Sequence, residues 1–195
     1  MAVDTSIALV TLADARAFVG KKSSETEDDA ILEILIDGVS ERFNAAVGRR
    51  LLEQTEATAY LDGNGRQTLL LPRYPNVSLA GLTEGGVALV EGEDQDYRLY
   101  PDTGILVRLG AGRWAHGRKN IVLSSYKAGW AQAALPKDLK LAALVQIAAD
   151  YQDYRTHSWG ELSRSFSDGS VTRREEGEFL SVVKATLEKY RGVRI

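Results

Sequence analysis

The chain has 195 residues, 44% hydrophobic and 26% charged, enough apolar material for one sizeable core with an appended subdomain and too much for disorder throughout. There is no cysteine, which excludes disulfides and thiolate chemistry, and two histidines, His116 and His157, are too few for a histidine-rich zinc site. The net charge of −3 argues against broad attraction to phosphate, and no run approaches the roughly 18 apolar residues of a membrane span.

Met1 to Val10 show no basic stretch leading into an apolar run, so a soluble, unexported protein is expected, with no metal or cofactor. Thr11 followed by Asp14 forms a capping-box-like start, and Leu12, Ala15 and Val19 recur at helical spacing until Gly20, which predicts a short first helix. Thr26 then offers a cap for a second helix whose first turn holds Glu27, Asp28 and Asp29, near the positive end of the helix dipole. Ile31, Leu35, Val39, Phe43 and Val47 make its apolar stripe, widened by Leu32 and Ile36, and Gly48 is a left-handed terminator. Seven acidic residues and no basic one lie between Glu25 and Glu41, a pattern that ordinarily marks a solvated face.

The middle of the chain is β-prone. Thr55 to Leu61 and Gln67 to Leu71 flank the turn signal Asp62-Gly63-Asn64-Gly65, which predicts a hairpin. Val77 to Leu82, Val87 to Val90, Tyr97 to Tyr100, Ile105 to Arg108 and Ile121 to Tyr126 are further strand candidates, so residues 53 to 127 are expected to form a small antiparallel β-unit. Pro136 suits the first turn of a helix running on through Leu139 to Tyr154, apolar on several sides and therefore expected at the centre of the core against the second helix. Residues 157 to 174 are polar and rich in serine, with a Ser167-Asp168-Gly169 turn signal, and are expected to be loop or arm. A last helix is predicted from about Glu175 to Lys189.

The expected fold is α+β: a small helical core of two long and two shorter helices, an inserted antiparallel β-unit and an extended C-terminal arm. Residues 1 to 155 are the body and 156 to 195 the arm with its helix. Charge divides along similar lines, with 16 basic and 21 acidic residues in 1 to 154 against 8 basic and 6 acidic in 155 to 195.

No pattern for chemistry emerges. Gly-x-Ser-x-Gly is absent, and Gly110-Ala111-Gly112-Arg113-Trp114 lacks the third glycine, lysine and helix of a phosphate loop, so it is expected to be a turn between strands. Glu93, Asp94 and Asp96 do not match the spacing of a twelve-residue calcium loop. Trp114, Trp130, Trp159, Tyr151 and Tyr154 lack the interleaved basic residues of a base-stacking surface. No catalytic, cofactor-binding or metal-ligating residue is nominated.

The order of several short segments resembles the head–tail connector, adaptor or head-completion family of tailed bacteriophages. These are Val10 to Val19, Asp28 to Glu33, Gly48-Arg49-Arg50-Leu51, Leu69-Leu70-Leu71-Pro72-Arg73-Tyr74-Pro75, Tyr126-Lys127-Ala128-Gly129-Trp130, Pro136 to Ala143 and Tyr190-Arg191-Gly192-Val193-Arg194. Each is weak alone; their order along nearly the whole chain carries the resemblance.

The resemblance implies a structural virion protein of the neck, assembled in the bacterial host cytoplasm and forming a ring, usually dodecameric, with other copies of itself. Such a ring docks on the portal protein, lets double-stranded DNA pass without specific binding, and offers a platform to a stopper or tail-completion protein. Within that frame Arg173, Arg174, Phe179, Tyr190, Arg191 and Arg194 are candidate portal-docking residues, because an extended tail buries much surface per residue. The acidic helix from Glu25 to Glu41, with Glu33, Asp37 and Glu41, or the loop Glu91 to Asp96, is a candidate for facing the channel, where like charge repels DNA. The reading from another class is a nucleic-acid-handling protein of a phage packaging operon, which would require a clustered basic groove.

Overall fold

A computed structural model describes residues 2–156, 163–166, 169–172 and 179–191. Among these residues the chain runs through helices α1 (Leu12–Phe18) and α2 (Asp29–Val47) into strands β1 (Gln54–Gly63), β2 (Thr68–Leu70), β3 (Gly81–Glu84), β4 (Val87–Leu89), β5 (Tyr97–Tyr100), β6 (Ile105–Arg108) and β7 (Gly117–Ala128). A 3-10 turn (Gln132–Ala134) leads into α3 (Lys137–Arg155), followed by β8 (Ser163–Phe166), β9 (Gly169–Thr172) and α4 (Ser181–Tyr190). The fold is α+β, with two long and two shorter helices and antiparallel strands inserted between α2 and α3. The chain divides into two units, one made of Met1–Gly48 with Leu135–Ile195 and the other of Arg49–Ala134.

In the helical unit, α1 starts where the sequence signals it. Thr11 accepts from the Asp14 amide and Asp14 reaches back to the Thr11 amide, a complete capping box. The second helix starts later than a Thr26 cap would place it. Asp28 holds the cap position, its carbonyl accepting from Leu32, but its carboxylate turns to Lys21, Tyr151 and Arg155 and makes no capping bond. Leu32, Leu35, Ile36, Val39, Phe43 and Val47 are buried at three- and four-residue spacing, each apolar side chain contributing roughly 1.5–3 kcal/mol, and Gly48 closes the helix at φ 79°.

Helix α3 packs on α2, with α1 against both and α4 laid on α2 and α3. Pro136 is the residue before α3 rather than within its first turn, since its extended ψ of 131° lets its carbonyl accept the Lys140 amide. The buried stripe of α3 is Leu139, Ala142, Ala143, Gln146, Ile147, Asp150 and Tyr151, so two polar residues share the face turned to the core. The polar region after Arg155, expected to be loop, contains an antiparallel hairpin in which Ser163 pairs with Thr172 and Phe166 with Gly169; Ser167 and Asp168 lie outside the described residues. Among the described residues the last helix begins at Ser181, after the extended residue Leu180; the expected start near Glu175 lies outside the described residues.

The β-unit has a four-stranded sheet ordered β1-β7-β3-β4 and a three-stranded sheet ordered β2-β6-β5, antiparallel at every pairing. One core joins them: Ala59, Leu82, Ile121, Leu123 and Tyr126 from the first sheet meet Leu69, Tyr97 and Leu106 from the second around the fully buried Trp114. The hairpin expected between residues 55–61 and 67–71 does not form. The first run pairs with β7 and the second with β6, in different sheets.

Local hydrogen bonds explain that outcome. Asn64 folds the turn on itself by accepting from the Arg66 amide and donating to the Thr68 carbonyl, while the Asp62 carboxylate takes the Lys119 amide and draws the end of β1 toward β7. Gly63 is required there, because a Cβ would lie 1.8 Å from the Ala115 carbonyl oxygen. Of the other strand candidates, residues 97–100 and 105–108 fall where expected. The run Val77 to Leu82 is mostly not strand, contributing a single bridge at Ser78 before β3 begins at Gly81.

Candidate functional site

For a chain without nominated chemistry the candidate sites are surfaces, and the acidic run on α2 is the first of them. Its members separate into two groups. Asp28 is held by Lys21, Arg155 and the Tyr151 hydroxyl, and its carboxyl lies below the usual range, the Lys21 contact being the largest cause. Asp29 takes both guanidinium arms of Arg16. Glu33, Asp37 and Glu41, one helical turn apart, line a single stripe. Asp37 accepts the Asp4 amide on both carboxylate oxygens at 3.2 and 3.3 Å, and its carboxyl is pushed up, by burial first and then by the charges of Asp4 and Glu33. The middle carboxylate of the stripe therefore tethers the N-terminal segment to α2.

The second surface is the C-terminal helix. Residues Phe179 and Leu180, just ahead of α4, are fixed to the helices beneath. The Phe179 ring meets Phe43 edge-on at 5.4 Å and carries the Arg42 guanidinium 5.2 Å above it. Arg42 donates to Asp150 at 3.1 Å, Gln146 donates to the other oxygen of Asp150 at 2.9 Å, and the Gln146 carbonyl accepts the Leu180 amide at 3.1 Å. Gln146 is fully buried, and this network satisfies both ends of its amide. At the far end of α4 the Tyr190 hydroxyl donates to Asp138 at 2.6 Å; burial, and then this bond, pushes the phenol up to about 12, and the same bond holds the Asp138 carboxyl down.

Three of the six candidate docking residues can thus be placed. Phe179 and Tyr190 turn into their own unit, while Arg191 is exposed and pairs with Glu188. Arg173, Arg174 and Arg194 lie outside the described residues. Outward from α4 the helix presents Val182, 61% exposed, with Ala185 and Lys189.

In the β-unit, Arg49 lies with its guanidinium 3.9 Å over the Tyr74 ring; its Nε and Nη1 are buried without a hydrogen-bond partner among the described residues, and burial pushes its pKa down. The Tyr126 hydroxyl donates to the Arg73 carbonyl at 2.5 Å and accepts the Arg73 amide at 2.9 Å, fastening the segment before the cis Tyr74–Pro75 bond onto the large sheet. Loop residue Asp96 accepts the Val90 amide and approaches Arg108, which also pairs with Glu84, so this carboxylate is a structural brace. Residues Gly110 to Arg113 connect β6 to the buried Trp114 and β7, as a turn between strands should. Among the described residues no group of three or more His, Asp or Glu side chains is gathered to hold a metal ion.

The Arg42–Asp150–Gln146 network escaped the sequence reading. Gln146 and Asp150 are four residues apart on a helix already assigned to the core, and that spacing was the available signal. What it could not supply was the third member, over a hundred residues away.

Comparison with known proteins places these surfaces in a context. No curated protein sequence matches the chain. Among solved structures it is similar to a chain in the neck of an empty gene transfer agent particle computed with C6 symmetry (TM-score 0.63, 20% identity). It is also similar to one in the virion of the native particle (0.61, 19%) and one in the neck of the native particle computed with C12 symmetry (0.60, 20%). Each likeness covers 100% of this chain and 94% of the other, and at such identity it speaks for a shared fold. The sequence model described as "Head completion protein" matches residues 8–193, which is nearly every element described above. The chain belongs to the head completion protein family and is a structural head–tail connector subunit.

Proposed function

We propose that the chain is a non-catalytic subunit of a closed ring in the virion neck, between the DNA-filled head of a tailed phage and its tail. The ring docks on the portal protein, passes double-stranded DNA and receives a stopper or tail-completion protein. The observation that carries the reading is the family match across residues 8–193. The symmetry of the particle necks that share the fold supports a ring of twelve, since a twelvefold ring also satisfies C6. Electron microscopy of the particle neck tests it: twelve copies between portal and tail are expected, and the absence of the chain from that position overturns the proposal.

Within the ring, the C-terminal region from residue 156 docks on the portal through its arginines, and the stripe of Glu33, Asp37 and Glu41 faces the channel. Because Phe179 and Tyr190 are engaged in their own unit, the arginines Arg173, Arg174, Arg191 and Arg194 are the residues to test. Their joint replacement by glutamine is expected to abolish attachment to portal-bearing heads, and unimpaired attachment sinks the docking role. For the channel, glutamine at positions 33, 37 and 41 should alter genome ejection or retention of packaged DNA; unchanged behaviour in both sinks that assignment.

A further inference from the structure

Strand β1 ends the four-stranded sheet and pairs only on its β7 side. Thr55, Glu56, Ala57 and Thr58 are all exposed, although successive strand residues point to opposite faces, and of the four Glu56 forms an ion pair, with Arg73 at 2.6 Å. Natural sheets blunt such edges with lysine, proline, bulges or brevity. The stretch Thr55-Glu56-Ala57-Thr58-Ala59-Tyr60 has no lysine or proline, and the one break in its register comes at the far end, between Leu61 and Gly63. The opposite edge is treated differently: β4 is three residues long, and the amide and carbonyl of Val90 beside it are both taken by the Asp96–Tyr97 segment.

The chain also carries a hairpin without a sheet. Strands β8 and β9 pair only with each other among the described residues. A two-stranded hairpin alone is marginal in water and gains stability from a third strand. Residues 53–62 hold three acids and no base, and Arg164 lies in β8.

We infer that the β8–β9 hairpin of one copy adds to the β1 edge of the neighbouring copy, extending the four-stranded sheet across the subunit boundary. In a ring each subunit presents one surface to the copy on its left and a different one to the copy on its right. An open edge and a hairpin that pairs with no further strand among the described residues are such a complementary pair, and backbone pairing supplies affinity with little demand on side chains. The inference rests on the ring reading above.

The absence of cysteine makes a disulfide test clean. Ser165 and Ser170 are opposite one another in the hairpin, so whichever strand is outermost, one of them borders the added edge. Two double variants, T58C with S165C and A57C with S170C, are built into virions, oxidised and run on denaturing gels without reductant. Two positions on each side guard against one variant disturbing its strand. Adjacent strands bring Cα atoms within the roughly 4.4–6.8 Å a disulfide needs. At least one pair is expected to convert monomer into a ladder of multimers that reductant collapses, while T58C alone stays monomeric. Particles that contain both variants but yield only monomer, or only an intrachain link, overturn the inference and leave the ring standing. Absence of the unsubstituted chain from particles overturns the ring reading itself.

Discussion

Replacing Tyr190 by phenylalanine tests how α4 is fastened. The hydroxyl donates to Asp138 at 2.6 Å, and the first turn of α3 adds the Leu139 amide to the same oxygen at 2.9 Å. A hydrogen bond to a charged acceptor contributes about 1.5–3 kcal/mol, but this one is partly open to solvent, so a loss of about 1 kcal/mol is expected. The phenol has a folded pKa of about 12, above its unfolded value near 10, so its contribution is complete below pH ~10 and disappears as pH rises through 12. Asp138 is shifted the other way. Its contribution is present above its unfolded value of 3.8 and fades as pH falls through the lower folded one. Urea unfolding of parent and Y190F should therefore show a constant gap of about 1 kcal/mol across neutral pH that closes above pH 12 and in strong acid. Hydrogen exchange should be faster within Ser181–Tyr190 and unchanged in β1 to β7. Equal stability at pH 7, or a gap persisting above pH 12, would refute the account.

Gly63→Ala forces a methyl group to within 1.8 Å of the Ala115 carbonyl oxygen, beside Trp114, and should destabilise the β-unit by at least about 2 kcal/mol with a changed near-ultraviolet circular dichroism spectrum. Phe179→Ala removes the edge contact to Phe43 and the face under Arg42; because the ring is only half-buried, about 2 kcal/mol is expected, measured by thermal unfolding with exchange at the start of α4. Thr11→Ala deletes one half of the capping box and should lower stability by about 1 kcal/mol in urea, with faster exchange in Leu12–Phe18.

Elements whose determinants are close in sequence were readable without the structure. The Thr11–Asp14 box, the Leu32 to Val47 stripe with Gly48 behind it, and the strands at 97–100 and 105–108 are cases of this kind. Readings failed where distant partners decided. Thr26 gave way to Asp28 because Lys21, Tyr151 and Arg155 claim the Asp28 carboxylate instead of the helix amides. The turn at Asp62 to Gly65 was recognised, but pairing with β7 and β6, some sixty and forty residues onward, overrode the local hairpin preference. The serine-rich stretch after Arg155 lacks the apolar alternation of a half-buried strand, so its hairpin left no periodic signal. On the candidate surfaces, the stripe of Glu33, Asp37 and Glu41 follows from helical spacing, whereas the inward turn of Phe179 and Tyr190 depends on Phe43 and Asp138.

The short segments that carried the family resemblance turn out to be fold determinants. Thr11 and Asp14 cap α1, Gly48 closes α2, and Asp138 receives Tyr190. Tyr74 supports Arg49, and Tyr126 fastens Arg73. Gly129, at φ 112°, lies where a Cβ would come within 2.5 Å of the Leu52 carbonyl oxygen, which lets Trp130 exchange backbone hydrogen bonds with Leu51 and Glu53. These residues close helices, pin segments and permit close backbone approach. On the function and the inference proposed above, recognition falls to what these residues leave outside: the open edge of β1, the arginines of the C-terminal region and the acidic stripe of α2.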